Sequence, residues 1–231
     1  MKISGFQKTS LIDYPGKIVS IIFTQGCNFR CSYCYNTGLI PSESKHNEYF
    51  PLDYIFYYLE KRKGLIDGIS ITGGEPTLQS DLYVFIKDVK DMDYKIKLDT
   101  NGSNPDLLKI LIDEKMIDYI AMDIKGPLQR YKEISSCNIN TAKIQESIKT
   151  IMNSGIEYEF RTTVVPGIHS NEDMEDIALL IKGSRNFYIQ NFRAENTYDP
   201  SLMKLNGFPP QKLEEFKDII SPYVKNINIR N

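Results

Sequence analysis

The sequence contains no tryptophan, only two histidines and four cysteines, and its basic and acidic residues nearly balance. A net charge of −2 provides no basic field of the kind that holds a nucleic-acid backbone, which disfavours a general nucleic-acid binder. No stretch reaches the ~18 apolar residues that a membrane-spanning helix needs. The amino-terminal segment MKISGFQKTS is polar and unlike a signal peptide. We therefore expect a cytoplasmic protein that binds neither nucleic acid nor membrane.

The few cysteines are concentrated in one segment, TQGCNFRCSYCYN, where Cys27, Cys31 and Cys34 have the spacing Cys-x3-Cys-x2-Cys. In a reducing compartment, clustered thiols are more often metal ligands or redox groups than disulfides. Thiolates select zinc, copper(I) or iron–sulfur clusters, and a structural zinc site is normally closed by four ligands. A cluster held by three cysteines would leave one iron open to a substrate or cofactor. The spacing therefore favours an iron–sulfur cluster over zinc.

The remaining thiol and imidazole groups offer no obvious fourth ligand. Cys137 stands far downstream of the motif, and His46 and His169 lie in no matching motif. The simplest role for Cys137 is that of a small, at least partly buried side chain. We therefore expect the missing fourth ligand to be the functional position of the cluster.

Short β-branched runs alternate with amphipathic stretches along the chain, a pattern typical of βα units with a parallel sheet. We predict strands at residues 17–24, 68–72, 95–99, 119–123, 157–164, 186–190 and 225–229. We predict helices at residues 52–63, 80–91, 105–115, 141–154, 172–183 and 210–220. Six such units are too few for a closed eightfold barrel, so we expect an α/β fold with a partial, open (β/α)6 TIM-like barrel. Residues 1–231 should form a single domain, with the cluster loop in residues 16–40.

Polar or glycine-rich residues stand at the end of each strand, where the functional groups of β/α folds collect. Asp123 and Lys125 are two positions apart and should share a face. Each motif could also have a purely structural role. The glycine and asparagine motifs could form turns, and the other residues could form an ion pair or carry a surface charge. The candidate residues at these ends are Gly73, Gly74, Glu75, Pro76, Asp99, Asn101, Asp123, Lys125 and Arg161.

The cysteine motif, with the aromatic Tyr33 before its last thiol, resembles the signature of radical S-adenosylmethionine (SAM) enzymes. Gly73-Gly74-Glu75-Pro76 resembles the second motif of that family. The resemblance implies a [4Fe–4S] cluster on the three cysteines, with the open iron chelated by the amino and carboxylate groups of SAM. It also implies one-electron cleavage of SAM to methionine and a 5′-deoxyadenosyl radical.

The segments GFQKTSLIDYPGK and FTQGCNFRCSYC resemble the activating enzymes of glycyl radical enzymes, most of all those of anaerobic ribonucleoside-triphosphate reductase. The implied partner is that reductase, on which a glycyl radical would be installed. Four cysteines leave no room for the ferredoxin-like insert of some activating enzymes, so flavodoxin or ferredoxin is implied as the electron donor. One alternative is another radical SAM reaction on a peptide or small molecule. A second is a non-catalytic iron–sulfur or zinc protein.

The same resemblance assigns roles to residues near the motif. Asn36 and Tyr33 resemble positions beside SAM, whereas Tyr35 stands where relatives often have histidine. Asp13, in Asp-Tyr-Pro-Gly, resembles a position near the partner's glycine loop, and we expect it at the rim that carries the cysteines.

The strand-end residues would complete the SAM pocket. Asp99 and Asn101 would hold the amino group or the ribose hydroxyls of SAM. Lys125 and Arg161 would meet its carboxylate. Asp123 would balance its sulfonium or a bound cation, and the glycine motif with Glu75 would meet its ammonium.

Overall fold

The computed structural model describes residues 1–44 and 48–230, so His46 lies outside the described residues. The strands are β1 (Ile3–Ser10), β2 (Val19–Thr24), β3 (Gly68–Gly73), β4 (Lys95–Thr100), β5 (Tyr119–Asp123), β6 (Glu157–Val164), β7 (Asn186–Asn191) and β8 (Asn226–Arg230). The α-helices are α1 (Leu52–Lys61), α2 (Leu82–Asp91), α3 (Pro105–Asp113), α4 (Tyr131–Ser135), α5 (Thr141–Asn153), α6 (Asn171–Leu180) and α7 (Pro210–Ile220). Short 3-10 helices lie at Thr37–Leu39, Pro76–Leu78, Pro200–Lys204 and Ser221–Tyr223.

The strands belong to one sheet in which their order follows the chain. β1 is antiparallel to β2, whereas the pairs β2–β3, β3–β4, β6–β7 and β7–β8 are parallel. Parallel neighbours in chain order require crossover connections, which the helices supply. The predicted α/β class is therefore confirmed.

Each predicted strand and helix is present, with small differences at the ends, but two elements were not predicted. In β1 only the two end residues, Ile3 and Ser10, are buried. The strand therefore lacks the alternation of apolar and polar residues by which a half-buried strand is predicted. α4 has five residues, which is too short to display a helical period.

Residue contacts divide the chain into two compact units, which we describe separately. Among the described residues, the first unit comprises residues 1–28, 38–44, 48–100 and 106–120. The second unit comprises residues 29–37, 101–105 and 121–230. A single domain over residues 1–231, with a cluster loop at 16–40, remains a prediction.

Each unit has its own apolar core. Burying one large apolar side chain contributes about 1.5–3 kcal/mol, so each core stabilises the strands around it. None of the helices within the described residues has the length and apolar character needed to cross a membrane. In the first unit the fully buried side chains include Ile22, Ile55, Leu59, Ile69 and Ile71. In the second unit they include Phe160, Ile177, Phe187 and Phe216.

Candidate active site

Cys27 belongs to the first unit and follows the carboxyl end of β2. The amides of Gly26 and Cys27 donate to the carbonyl oxygens of Leu39 and Ile40, at 2.8 and 3.0 Å. These two bonds hold the segment that leaves β2 beside the segment at Leu39 and Ile40. The backbone of Cys27 is thereby fixed.

Cys31 and Cys34 belong to the second unit, and the segment that follows β7 holds their loop. The amide of Tyr198 donates to the Cys34 carbonyl at 3.1 Å, and the amide of Asp199 donates to the Ser32 carbonyl at 2.8 Å. Bonds between positions so far apart in the chain leave no local sequence signal. Sequence reasoning therefore missed this support of the cysteine loop.

Tyr35 makes further contacts to the same segment. Its hydroxyl accepts the amide of Arg193 at 2.6 Å, and its carbonyl accepts the side-chain amide of Asn196 at 3.2 Å. Its ring stacks on Phe192, with centroids 6.2 Å apart. Tyr35 thus fastens the cysteine loop to the segment at the end of β7.

The carboxyl end of α4 lies against the other side of the motif. The amide of Arg30 donates to the Ser135 carbonyl at 2.8 Å. The hydroxyl of Ser135 lies 3.2 Å from the sulfur of Cys137. Cys137 is partly buried, as expected for a small packing residue.

Burial dominates the electrostatics of the two thiols in the second unit. It raises the pKa of Cys31 to about 11, against the opposing charge of Lys125. It also raises the pKa of Cys34, which Lys125 and the Asn36 amide oppose. Thiols of this kind keep their protons until a metal ion displaces them, as cluster ligation would do. Among the described residues, no group of three His, Cys, Asp or Glu side chains is gathered for a single metal ion.

Tyr33 supplies an observation that fits a bound ligand. Its side chain is 4% exposed, and its hydroxyl has no hydrogen-bond partner among the described residues. Burial raises the pKa of Tyr33 well above its ordinary value, so the hydroxyl stays protonated. Buried polar groups are almost always paired, and an unpaired one is costly. This hydroxyl is therefore suited to meet a polar atom of a ligand such as SAM. Asn36 is exposed.

In the first unit, the two glycines of the second motif permit close packing against β2. A Cβ on Gly73 would clash with the Thr24 backbone, and a Cβ on Gly74 would clash with the Gly26 carbonyl oxygen. The amides of Gly74 and Glu75 donate to the carbonyls of Thr24 and Gly26, at 2.9 and 2.8 Å. The missing side chains are thus required by the chain itself, whatever else approaches the motif.

Glu75 is 1% exposed and caps the 3-10 helix that begins at Pro76. Its Oε1 accepts the Thr77 amide at 3.2 Å, the Thr77 hydroxyl at 2.6 Å and the Thr100 hydroxyl at 2.8 Å. These bonds join the ends of β3 and β4. Contact of Glu75 with a ligand ammonium remains a prediction.

Asp99 forms an ion pair with Lys97, whose side chain is 3% exposed. The two residues lie two positions apart on β4 and share a face. Sequence reasoning singled out Asp99 and missed the buried lysine beside it, because lysine in a strand is ordinarily exposed.

Asn101 makes the turn that the sequence allowed as its alternative role. Its side-chain oxygen accepts the amide of Ser103 at 3.0 Å. Gly102 has φ of +75°, and a Cβ there would clash with Met122. Contact of Asn101 with SAM remains a prediction.

Asp123, Lys125 and Arg161 lie together in the second unit. Lys125 Nζ donates to Asp123 Oδ2 at 3.0 Å, and Arg161 Nε donates to Asp123 Oδ1 at 2.8 Å. Burial alone would raise the pKa of Asp123, yet the charges of Arg161 and Lys125 bring it well below its ordinary value. Burial opposes the charge of Lys125, but Asp123 raises the pKa of this lysine well above its usual range. The three groups are therefore ionised, with two cations around one carboxylate.

His169 fixes the backbone of Lys125. Its Nδ1 accepts the amide of Val165 at 3.1 Å, so the ring proton is on Nε2, which donates to the Lys125 carbonyl at 3.0 Å. Burial lowers the pKa of His169 and keeps it neutral. Both nitrogens are used, which removes it as a metal-ligand candidate and gives it a positioning role that the sequence did not indicate.

The expected position of Asp13 at the rim of the cysteines is wrong. The antiparallel register pairs Ile3 with Thr24 and Ser10 with Val19, so the loop after Ser10 lies at the amino end of β2. Cys27 follows the opposite end of that strand, which is six residues or about 17–20 Å long. The Asp13 carboxylate accepts the Ser10 hydroxyl within its own turn. Contact of Asp13 with a partner protein remains a prediction.

Comparison with known proteins identifies the family. The model of the radical SAM superfamily matches residues 21–181, which is more than half of the chain. The chain belongs to the radical SAM superfamily. A provisionally named glycyl-radical enzyme activating enzyme of Methanocaldococcus jannaschii is 35% identical over 99% of this chain and 95% of its own. The pyruvate formate-lyase-activating enzyme of Clostridium pasteurianum is 27% identical over 80% of this chain and 78% of its own.

These similarities place the radical SAM protein in the family of glycyl-radical enzyme activating enzymes, and its predicted enzymatic nature is confirmed. Its superfamily uses a [4Fe–4S] cluster together with SAM. The crystal structure of Streptococcus suis SuiB matches 91% of this chain and 48% of that chain, with a TM-score of 0.66 at 17% identity. At this identity the match concerns the fold alone, and it confirms the predicted partial-barrel fold class.

Proposed function

We propose that this radical SAM enzyme holds its [4Fe–4S] cluster through Cys27, Cys31 and Cys34 and installs a glycyl radical on anaerobic ribonucleoside-triphosphate reductase. The observation that carries the proposal is the Cys-x3-Cys-x2-Cys segment in a chain that is similar to an activating enzyme over 99% of its length. When bound, the cluster supplies the electron that cleaves SAM. The reductase in particular is favoured by the resemblance of the segment GFQKTSLIDYPGK.

The charged residues of the second unit would hold the polar end of SAM. Lys125 keeps its proton well above neutral pH and is a suitable partner for a carboxylate. Asp123 stays ionised between two cations and would attract the positive charge of the ligand. Arg161 is oriented by its bond to Asp123, which fixes the direction of its guanidinium group.

The remaining candidate residues would shape the pocket. Tyr33 offers a hydroxyl donor for which the described part of the chain contains no acceptor, and Asp99 offers a carboxylate that its pairing with Lys97 keeps in place. Asn36 would contribute an exposed side-chain amide close to the last cysteine. Fixed dipoles and charges of this kind can replace water around a reacting group without reorganising during the reaction.

The partner would be a protein that brings a glycine to the radical, because a radical abstracts only a hydrogen atom within van der Waals distance. A glycine in an extended loop has no side chain to obstruct that approach. The electron would come from flavodoxin or ferredoxin, and the cytoplasm is the predicted location.

The proposal is tested with anaerobically reconstituted protein. We expect about four irons per chain and, with dithionite and SAM, release of methionine and 5′-deoxyadenosine. Mixing with the purified reductase should then produce the doublet of a glycyl radical in the EPR spectrum. Deuterium at the glycine of the partner should appear in 5′-deoxyadenosine.

Two results would contradict this function at different levels. Zinc in place of iron would refute the radical chemistry itself. SAM cleavage without an EPR signal on any glycyl radical enzyme would leave the superfamily intact and refute the activating function, in favour of a reaction on a peptide or small molecule.

A further inference from the structure

The segment at residues 192–199, which follows β7 and is called the strap below, is fixed to the sheet at its first residue. The amide of Phe192 donates to the carbonyl of Val164 at the end of β6, at 3.2 Å, and the Phe192 side chain is 2% exposed. Near the other end of the strap, the buried Thr197 donates its hydroxyl to the carbonyl of Asp199 at 2.7 Å. The strap is therefore anchored by the sheet and shaped by its own residues.

Three hydrogen bonds run from the strap to the backbone of the cysteine loop. Two of the donors are backbone amides of the strap, and the third is the side-chain amide of Asn196. The acceptors are the carbonyls of Ser32, Cys34 and Tyr35, and the three bonds are 2.8, 3.1 and 3.2 Å long. The backbone of Cys34 is thus held at the residue itself and on both sides of it.

The side chain of Tyr35 grips the strap from the direction of the loop. Its hydroxyl accepts the amide of Arg193 at 2.6 Å, and its ring stacks on Phe192 with the two planes 22° apart. Both contacts are made to the anchored end of the strap. We therefore expect the loss of Tyr35 to let the strap and the loop separate more often.

Other parts of the motif have supports of their own. The amide of Cys27 donates to the carbonyl of Ile40 within the first unit, at 3.0 Å. The amide of Arg30, which precedes the second cysteine, donates to the carbonyl of Ser135 at 2.8 Å. A loosened strap should therefore move Cys34 and leave Cys27 in place.

We propose that the strap positions Cys34 before the cluster binds, and that Tyr35 is the positioning residue that keeps the strap on the loop. A ligand that is already in place loses less conformational freedom when the metal binds, so the site retains its metal better. The proposal rests on the proposed function, in which Cys34 is one of the three cluster ligands. It gives Tyr35 a role in retaining the cluster, which needs no contact with SAM or with the partner.

The first test uses the cluster-free protein and measures the alkylation of each cysteine by iodoacetamide, resolved by mass spectrometry. Tyr35→Ala should raise the rate of the partly buried Cys34 by about ten- to a hundredfold, because a hydrogen bond and a ring stack are lost. Tyr35→Phe keeps the ring and should raise this rate by about two- to tenfold. The rate of Cys27 should stay at its wild-type value in both variants, whereas a general loss of stability would raise both rates.

Two further variants separate the bonds of the strap from its surface. Asn196→Gly removes the bond to the Tyr35 carbonyl but suits the backbone, because Asn196 has φ of +48°. It should raise the rate of Cys34 by about two- to tenfold. Tyr198→Ala is the matched control, since it removes a ring that is 46% exposed and keeps the amide that bonds Cys34. Its Cys34 rate should equal that of the wild type.

The second test uses the reconstituted protein and measures the release of iron to bathophenanthroline under anaerobic conditions. Tyr35→Ala should release its iron about ten- to a hundredfold faster than the wild type, as is typical when a residue that orients a metal ligand is lost. Tyr198→Ala should release its iron at the wild-type rate.

The proposal and the proposed function fail in different ways. If Tyr35→Ala leaves the Cys34 rate unchanged, raises the Cys27 rate equally or retains its iron as long as the wild type, Tyr35 does not position Cys34 and the proposal is overturned. An equal rise of the Cys34 rate in Tyr198→Ala would overturn it as well. A wild-type protein that takes up no iron–sulfur cluster, although its Cys34 rate responds to Tyr35→Ala as expected, would instead refute the proposed function.

Discussion

Glu75 in the first unit and Asp123 in the second are both acidic residues at strand ends, but different groups satisfy them. The bonds described for Glu75 come from the hydroxyls of Thr77 and Thr100 and from the amide of Thr77. Asp123 instead lies between two cations, Arg161 and Lys125. The neutral donors of Glu75 tie it into the fold, whereas an acid between cations belongs to a group whose charges can respond to a ligand.

The two units therefore contribute differently to the proposed function. The first unit supplies close packing and capping around the second motif, and its substitutions should act mainly on stability. The second unit carries Asp123 with its two cations and the buried Tyr33 hydroxyl, which no described residue bonds, and its substitutions should act mainly on SAM binding.

The largest effect should come from the three cysteines of the motif, of which Cys27 lies in the first unit and the other two lie in the second. Replacing Cys27, Cys31 or Cys34 with Ala should abolish SAM cleavage, since a cluster with two protein ligands is not retained. The measurements are iron content and 5′-deoxyadenosine release under anaerobic conditions. Cys137→Ala is the control and should retain both. Loss of activity in folded Cys137→Ala protein would overturn the assignment of ligands.

The next largest effect should come from the close packing of Gly74 in the first unit. Gly74→Ala places a methyl group against the Gly26 carbonyl oxygen, which is backbone and cannot move aside. Overpacking of this kind costs about 1–3 kcal/mol, measured as a lower free energy of unfolding in urea. Gly38→Ala is the matched control, because a Cβ at Gly38 meets nothing within 4 Å. Equal stability of the two variants would show that Gly74 is not needed for packing.

Much of the fold and of the candidate site could be predicted from local sequence patterns. The features that could not be predicted were missed for one common reason. The strands, helices and cysteine motif are read from neighbouring residues, so period and spacing reveal them. Tyr35 and Arg193 are 158 positions apart, and no local pattern near either residue indicates their bond. The predicted position of Asp13 was wrong for a related reason. β1 has no clear strand pattern, so the hairpin of β1 and β2 that places Asp13 was not predicted.

A smaller effect separates SAM binding from folding in the second unit. Lys125→Ala should lower SAM affinity by about ten- to a hundredfold while the cluster spectrum is unchanged, because one charge-assisted bond is lost. The fold should tolerate this change, since Asp123 keeps Arg161 as a partner. Unchanged affinity would return Lys125 to a structural role.

Asp99→Ala is the counterpart in the first unit. It is also expected to weaken SAM binding, but it leaves the buried Lys97 without this carboxylate and should lower the free energy of unfolding as well. If Lys125→Ala and Asp99→Ala lowered the free energy of unfolding equally, these two residues would not differ in their contribution to stability, contrary to this prediction.

The smallest effect is a pH dependence carried by His169. Its Nδ1 must be unprotonated to accept the Val165 amide, and burial lowers its pKa below the ordinary 6.5, although Asp173 opposes this and Arg130 supports it. As the pH falls below about 6.5, the unfolded chain therefore binds more protons than the folded chain. The free energy of unfolding is highest above that pH and falls on acidification, by at most about 1.4 kcal/mol per pH unit. We expect urea unfolding between pH 7.5 and 5.5 to show this slope in the wild type and a shallower one in His169→Gln. Because the folded ring stays neutral and keeps its bond to the Lys125 carbonyl, the SAM affinity of the folded protein should not follow this slope. Identical slopes in the two proteins would mean that His169 does not titrate against folding.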